Sequence, residues 1–278
     1  MRNLLSAELF RLLRSKFLGL TAVAVVGFMG IFLISTREQT LRYGQGLDSK
    51  LFYVFLLADL FCAVFCSLHL GQEYGEGAIR NKLMAGHSRN SVYLAGLLCS
   101  IVGSLFLVFA ACFGALVFGL PLIGGFQLTA RAIALLLLCG VGVTVVYASV
   151  YTLLSLLISS RALSVAACLL TSIVLMSFSQ KIFSALEQPE HILSQYVFTE
   201  NGATLLENAG EGPLNPDYVD GVQRTVFQFI NDLLPTGQAF QIANLSVERP
   251  WLLLGCSLAL VLLTTGLGLF LFRKKDVK

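Results

Sequence analysis

The chain has 278 residues, of which 56% are hydrophobic and 13% charged, with a formal net charge of +3. Soluble domains carry roughly 25% charged residues, so this chain cannot cover its apolar surface with polar groups and needs a bilayer as solvent. The small, dispersed positive charge excludes the basic stripe of a nucleic-acid binder.

Residues 1–16 read as an amphipathic helix. Leu4, Leu5, Leu9, Leu12 and Leu13 recur at helical spacing, and Arg2, Arg11, Arg14 and Lys16 supply positive charge. Such a segment either lies in the interface of an anionic leaflet or forms the polar start of the first span. It is no cleavable signal, because charge interrupts its apolar residues and no small-residue cleavage site follows. Six apolar runs come next, at 17–35, 51–70, 92–120, 132–158, 162–178 and 251–272. Each is near or above the roughly 20 residues that a span requires. Ser159, Ser160 and Arg161 separate the fourth from the fifth, which predicts a tight antiparallel hairpin. With both termini inside, twelve of the nineteen Lys and Arg residues fall on the cytoplasmic side, the arrangement that the positive-inside rule favours.

That orientation places 71–91, GQEYGEGAIRNKLMAGHSRNS, in the cytoplasm. Ile79 and Leu83 share a helical face, and Glu76 and Arg80 stand at acid-to-base i, i+4 spacing. The stretch reads either as a short surface helix open to a soluble partner or as a solvated loop. On the other side, 179–250 is an acidic external segment. Its part 187–221 reads as irregular. Residues 222–245 suggest an amphipathic helix through Val226, Phe229, Ile230, Leu233 and Leu234, broken by Pro235 and Gly237. That helix either dips into the outer leaflet and returns, or caps the surface.

All seven cysteines (Cys62, Cys66, Cys99, Cys112, Cys139, Cys168 and Cys256) lie in apolar runs without His or carboxylate at ligand spacing. They read as small apolar residues and not as metal ligands or disulfides. No G-x-x-x-x-G-K-[ST], HExxH or GxSxG sequence occurs, and His69, His87 and His191 are scattered, so no catalytic machinery is expected. Asp59 is the one ionisable residue well inside a span. It either contacts cargo or a coupling proton, or locks the second span to a neighbour through hydrogen bonds. Gly96, Gly103, Gly114, Gly140 and Gly142 are expected to permit close helix packing.

The stretch around 71–98 resembles the cytoplasmic loop after the second span in permease subunits of bacterial type-2 ATP-binding-cassette (ABC) exporters. The resemblance rests on Glu73, Glu76, Gly77, Ile79, Arg80, Asn81, Lys82, Leu83, Gly86, Ser88 and Arg89, then Tyr93 and Leu94. The layout and the closing FRKKDVK extend the likeness over nearly the whole chain. It implies one all-α integral membrane permease domain over 1–278, with an N-terminal interfacial helix, six transmembrane helices, a cytoplasmic coupling helix and an external segment between helices five and six. It also implies that those loop residues couple to two cytoplasmic ATPase subunits that carry ATP and Mg, with no cofactor in this chain. A second permease chain, identical or related, would complete the pathway in the cell membrane. The cargo expected is amphiphilic, peptide-like or antibiotic-like. The alternatives are an ion-coupled carrier using Asp59 and a membrane sensor or scaffold that recruits a cytoplasmic partner.

Overall fold

The structure is a computed structural model that describes residues 2–192, 194–199, 202–207 and 213–275. Among these the chain forms, in order, α1 (Arg2–Leu13), α2 (Lys16–Arg42), α3 (Asp48–Leu51), α4 (Tyr53–Gly75), α5 (Ala78–Met84), α6 (Arg89–Leu122), α7 (Ala130–Leu157) and α8 (Arg161–Leu186). A hairpin of β1 (Ser194–Thr199) and β2 (Gly202–Glu207) follows, then α9 (Gly221–Leu233), α10 (Pro235–Ala243) and α11 (Pro250–Lys274). Six segments are long and apolar enough to cross a membrane: α2, α3 with α4, α6, α7, α8 and α11. The molecule is therefore the helical membrane protein that its hydropathy predicts.

The helices overrun the apolar runs. α2 continues past the apolar run to Arg42, and the hydroxyls of Ser35, Thr36 and Thr40 are satisfied within it by the carbonyls of Ile31, Phe32 and Thr36. Likewise α8 runs past Phe178 to Leu186. A polar residue ends a hydropathy window but does not break a helix.

The apolar span of α4 is 67% buried, against 22% for α8 and for α11. Thus α4 is the central helix, and α8 and α11 leave broad apolar faces exposed. Helices α6, α7 and α8 pack around α4. Two approaches are possible only over glycine: a Cβ on Gly103 would overlap the ring of Phe65, and one on Gly140 the ring of Phe55. The expected hairpin joins α7 and α8 through 158–160, although the main partner of α8 is α4.

α1, α5 and the last turns of α11 lie at one end of the bundle, where Leu4, Leu70, Ile79, Val92, Tyr93, Leu156 and Phe272 form a small separate core. At the opposite end Asp48, buried, accepts the N–H groups of Leu128 (2.8 Å) and Gln127 (3.3 Å). That bond ties the α2–α4 corner to the α6–α7 connection.

Pro235 begins α10 as its first residue instead of ending a helix, as a ring with fixed φ and no N–H favours. Every residue of α10 is buried, and the helix packs among α4, α7 and α8. The one amphipathic helix expected over 222–245 is thus two, α9 with an exposed apolar stripe and α10 buried among its neighbours. The polar groups of α10 are met by protein: Tyr147 Oη donates to the Pro235 carbonyl at 3.2 Å, and Ser257 Oγ donates to Gln238 Oε1 at 2.7 Å. Thr236 Oγ1 donates to the Leu175 carbonyl at 3.2 Å.

The stretch read as irregular, 187–221, instead contains the antiparallel hairpin, in register from Ser194 opposite Glu207 to Thr199 opposite Gly202. Tyr196, Val197, Phe198 and Thr199 are strand formers, and their signal is diluted when averaged with the Gly, Pro and acidic residues around them. The seven cysteines carry no disulfide.

Candidate partner-docking site

Residues 71–91 are not one helix. The last turn of α4 ends at Gly75, Glu76 caps it, and Gly77 takes a left-handed conformation (φ 67°, ψ 12°) that lets α5 leave in a new direction. Gly86 (φ 87°) makes the second turn. Ser88 then caps α6, its Oγ accepting the Ser91 N–H at 3.3 Å.

Four charges fix α5 in place. Lys82 Nζ on α5 lies 2.9 Å from Glu73 Oε2 on α4 and 2.7 Å from Glu8 Oε1 on α1. Arg11 on α1 closes the ring, 2.8 Å from Glu8 Oε2 and also paired with Glu73. The Glu8 and Glu73 side chains are 8% and 7% exposed and that of Lys82 is 12%, so these pairs are shielded in a way that surface pairs are not. Burial alone would raise the pKa of Glu8, but the hydrogen bond and charge of Lys82, helped by Arg11, outweigh it and hold the carboxyl below its ordinary value. Ile79 anchors the same helix in the small core beside Leu4 and Val92.

The chain's end braces this assembly. Arg89 donates to the carbonyls of Arg273 (2.8 Å) and Lys275, and Arg273 Nε donates to Asn90 Oδ1 at 2.7 Å. Lys275 Nζ donates to Tyr74 Oη and to the Leu156 carbonyl, both at 2.9 Å, and lies 4.3 Å from the Tyr74 ring centroid. Burial pulls this amine down to about 8.

The sequence-predicted residues therefore divide. Glu73, Ile79 and Lys82 turn inward, Leu83 packs against the small core, and Arg89 serves the C-terminal brace. Glu76, Arg80, Asn81, Gly86 and Ser88 are exposed, and Gly77 supplies the turn. The expected Glu76–Arg80 pair does not form, because Glu76 sits on the cap of α4, where its Oε1 accepts from Gln72 Nε2 at 2.6 Å. Met84, 67% exposed, is a member of the outer face that charge patterning missed. Its signal was an apolar residue one turn beyond Arg80. Together Arg80, Met84, His87 and Arg89 line an open groove of about 600 Å³. Arg80 and Met84 give this groove an exposed positive charge beside an exposed apolar side chain.

Asp59 lies elsewhere, buried in mid-α4. Its two carboxylate oxygens accept from Tyr151 Oη on α7 and, at 2.7 Å, from Ser172 Oγ on α8. These two bonds join α4, α7 and α8 through one side chain.

Comparison with protein-family models matches residues 4–177 to the ABC-2 family transporter proteins. Comparison with curated proteins yields no match.

Proposed function

The chain belongs to the ABC-2 transporter family, and on that premise we propose that it forms half of an export pathway driven through α5 by separate ATPase subunits. The family supplies the transmembrane component and not the ATPase. The chain's termini and α5 then face the cytosol, two ATPases bind ATP and Mg, and a second permease chain completes the pathway in the cell membrane. An amphiphilic, peptide-like or antibiotic-like molecule is the cargo.

The observation that carries this reading is the contrast between the two faces of α5. Its inner face is fixed to α1 and α4 by shielded charge pairs, while Arg80, Asn81 and Met84 stand bare. A helix held this way transmits a push to the bundle instead of absorbing it. The ion-coupled alternative needs Asp59 to reach water, and its bonds to Tyr151 and Ser172 weigh against that. The test is to purify the chain in mild detergent from its host and ask whether a Walker-A-bearing ATPase accompanies it. Vanadate-sensitive hydrolysis that the permease stimulates supports the reading. Normal transport in the absence of any nucleotide overturns it, and recruitment without transport favours a scaffold.

A further inference from the structure

At the end of the bundle opposite α1 and α5, the last turn of α2, the short α3 and the turn after α10 enclose an open groove of about 460 Å³. Gln39, Tyr43, Gln45, Lys50, Tyr53 and Asn244 line it, and Lys50 is its one charged residue. Lys50 is half-buried, and its ammonium lies 5.4 Å from the Tyr53 ring centroid. It has neither an ion pair nor a hydrogen bond among the described residues. The carboxylate nearest in sequence, Asp48, is already taken by the N–H groups of Gln127 and Leu128, and Glu38 does not line the groove. With both termini inside, Arg37, Arg42 and Lys50 all fall in one short outer connection. That runs against the positive-inside bias, and an anion at the outer surface would offset it.

Below the groove an aromatic seam runs on into the apolar layer. Helix α2 packs along α6, and rings bridge it to α4: the centroids of Phe32 and Tyr53 are 5.8 Å apart, and those of Phe28 and Phe61 5.9 Å. Phe28 is 45% exposed, and Phe32, Tyr53 and Phe61 are half-buried, so the seam is reachable from outside. From Tyr53 to Phe61 it follows α4 for roughly 12 Å. Tyr53 belongs to both the groove and the seam, which makes them continuous. An unpaired cation above an apolar, ring-lined track matches an amphiphile with an anionic head. A free anion would use only the upper half.

We propose that groove and seam together bind an anionic phospholipid, its phosphodiester beside Lys50 and an acyl chain along Phe32, Phe28 and Phe61. The side chains of Gln39, Tyr43 and Gln45, which make no hydrogen bond among the described residues, offer N–H and O–H donors to the headgroup oxygens. Assigning the lipid to the outer leaflet rests on the orientation with both termini inside. Binding itself rests neither on that nor on the exporter reading.

Native mass spectrometry of the full chain in mild detergent, titrated with dioctanoylphosphatidylglycerol, counts lipids bound per chain. The expected result is a single saturable adduct that excess inorganic phosphate does not displace. Dioctanoylglycerol, without phosphate, should not saturate. Dioctanoylphosphatidylcholine, whose head carries no net charge, should bind about tenfold more weakly, the effect of one charge-assisted contact. Lys50→Gln removes an amine without a partner and should melt like the parent, yet bind the anionic lipid about tenfold more weakly. Lys50→Arg should keep the affinity, and so should Arg42→Gln, because Arg42 is exposed but does not line the groove. Equal affinity for the anionic and zwitterionic lipids, unchanged affinity in Lys50→Gln, or an equal loss in Arg42→Gln overturns the proposal. Displacement by inorganic phosphate would also overturn it, by assigning the groove to a free anion.

Discussion

Lys82 on α5 and Glu73 on α4 are an ion pair, Nζ to Oε2 2.9 Å, and the same ammonium reaches Glu8 on α1 at 2.7 Å. One cation therefore holds two shielded carboxylates from two other helices. Removing it strands them. Replacing Lys82 with Met should destabilise the protein on the order of 2 kcal/mol, less than a lone buried pair would cost because Arg11 remains beside both carboxylates. Adding Glu73→Gln to Lys82→Met should recover much of that loss. Thermal melting of the two variants in one detergent checks this, and equal melting of Lys82→Met and the parent would show that the ring contributes nothing.

The outer face should behave oppositely. Arg80 and Met84 are exposed. Arg80→Glu and Met84→Glu should each alter stability by no more than about 0.5 kcal/mol. Both should reduce capture of the ATPase, Arg80→Glu by reversing a rim charge and Met84→Glu by placing a charge where an apolar anchor belongs. A pull-down paired with a melting curve separates binding from folding. Full capture by both variants would remove α5 from the interface.

These two cases show what the sequence could and could not reveal. Hydropathy located all six spanning segments because apolar length is a property of each stretch alone. The surface helix is one of the two readings that 71–91 allows, but the Glu76–Arg80 spacing runs a helix across Gly77, where the structure has a turn. Which loop residues face inward was not legible, because Lys82 turns in to meet Glu8, more than seventy positions away in the chain. A single acid in a basic N-terminal helix was the available clue, since Glu8 has no reason to interrupt Arg2, Arg11 and Arg14 unless a cation waits for it. Likewise, burial of α10 depends on α4, α7 and α8 arranging themselves around it. Its own residues leave it open between a re-entrant segment and a surface cap, and only Ser257 and Tyr147, meeting its polar groups, show that it is buried.

Asp59 gives a prediction that separates structure from ion coupling. Its oxygens accept from Tyr151 and Ser172. Asp59→Leu leaves both hydroxyl donors buried without an acceptor and should cost about 2–5 kcal/mol. Asp59→Asn retains one acceptor and should cost about 1 kcal/mol. If Asp59 is a lock, Asp59→Asn transports at the parent rate once normalised to folded protein in the membrane. A folded Asp59→Asn variant with ATPase activity and no transport would make the carboxylate part of the pathway.

Gly77 tests the geometry of the docking helix independently of its charges. Its φ of 67° is left-handed, and a Cβ there would meet no atom within 4 Å. Gly77→Ala should therefore cost roughly 1–2 kcal/mol from backbone strain alone, without a clash. The strain is relieved if the chain straightens and α5 tilts, so ATPase stimulation should fall more than stability does. Gly75→Ala is the control, since Gly75 has the same open surroundings but a negative φ. Equal behaviour of the two alanine variants would mean that the left-handed turn is dispensable.

The charge ring also sets an acid limit. Glu8 is held below its ordinary pKa of 4.5: burial pushes it up, but Lys82 and Arg11 more than offset that. The folded state thus binds fewer protons at this group than the unfolded chain does. Its stabilisation is complete above about pH 4.5 and disappears as pH falls through the lower folded value. Glu8→Gln cannot titrate, so the gap in melting temperature between parent and variant should be constant from pH 7 to about 5 and shrink below about 4.5. Glu73 faces the same two cations and interacts with Glu8 itself, so the pair of curves is recorded in a Glu73→Gln background, where only position 8 differs. A gap that stays flat through the acid range would falsify the assignment of this pair as a charged brace between α1 and α5.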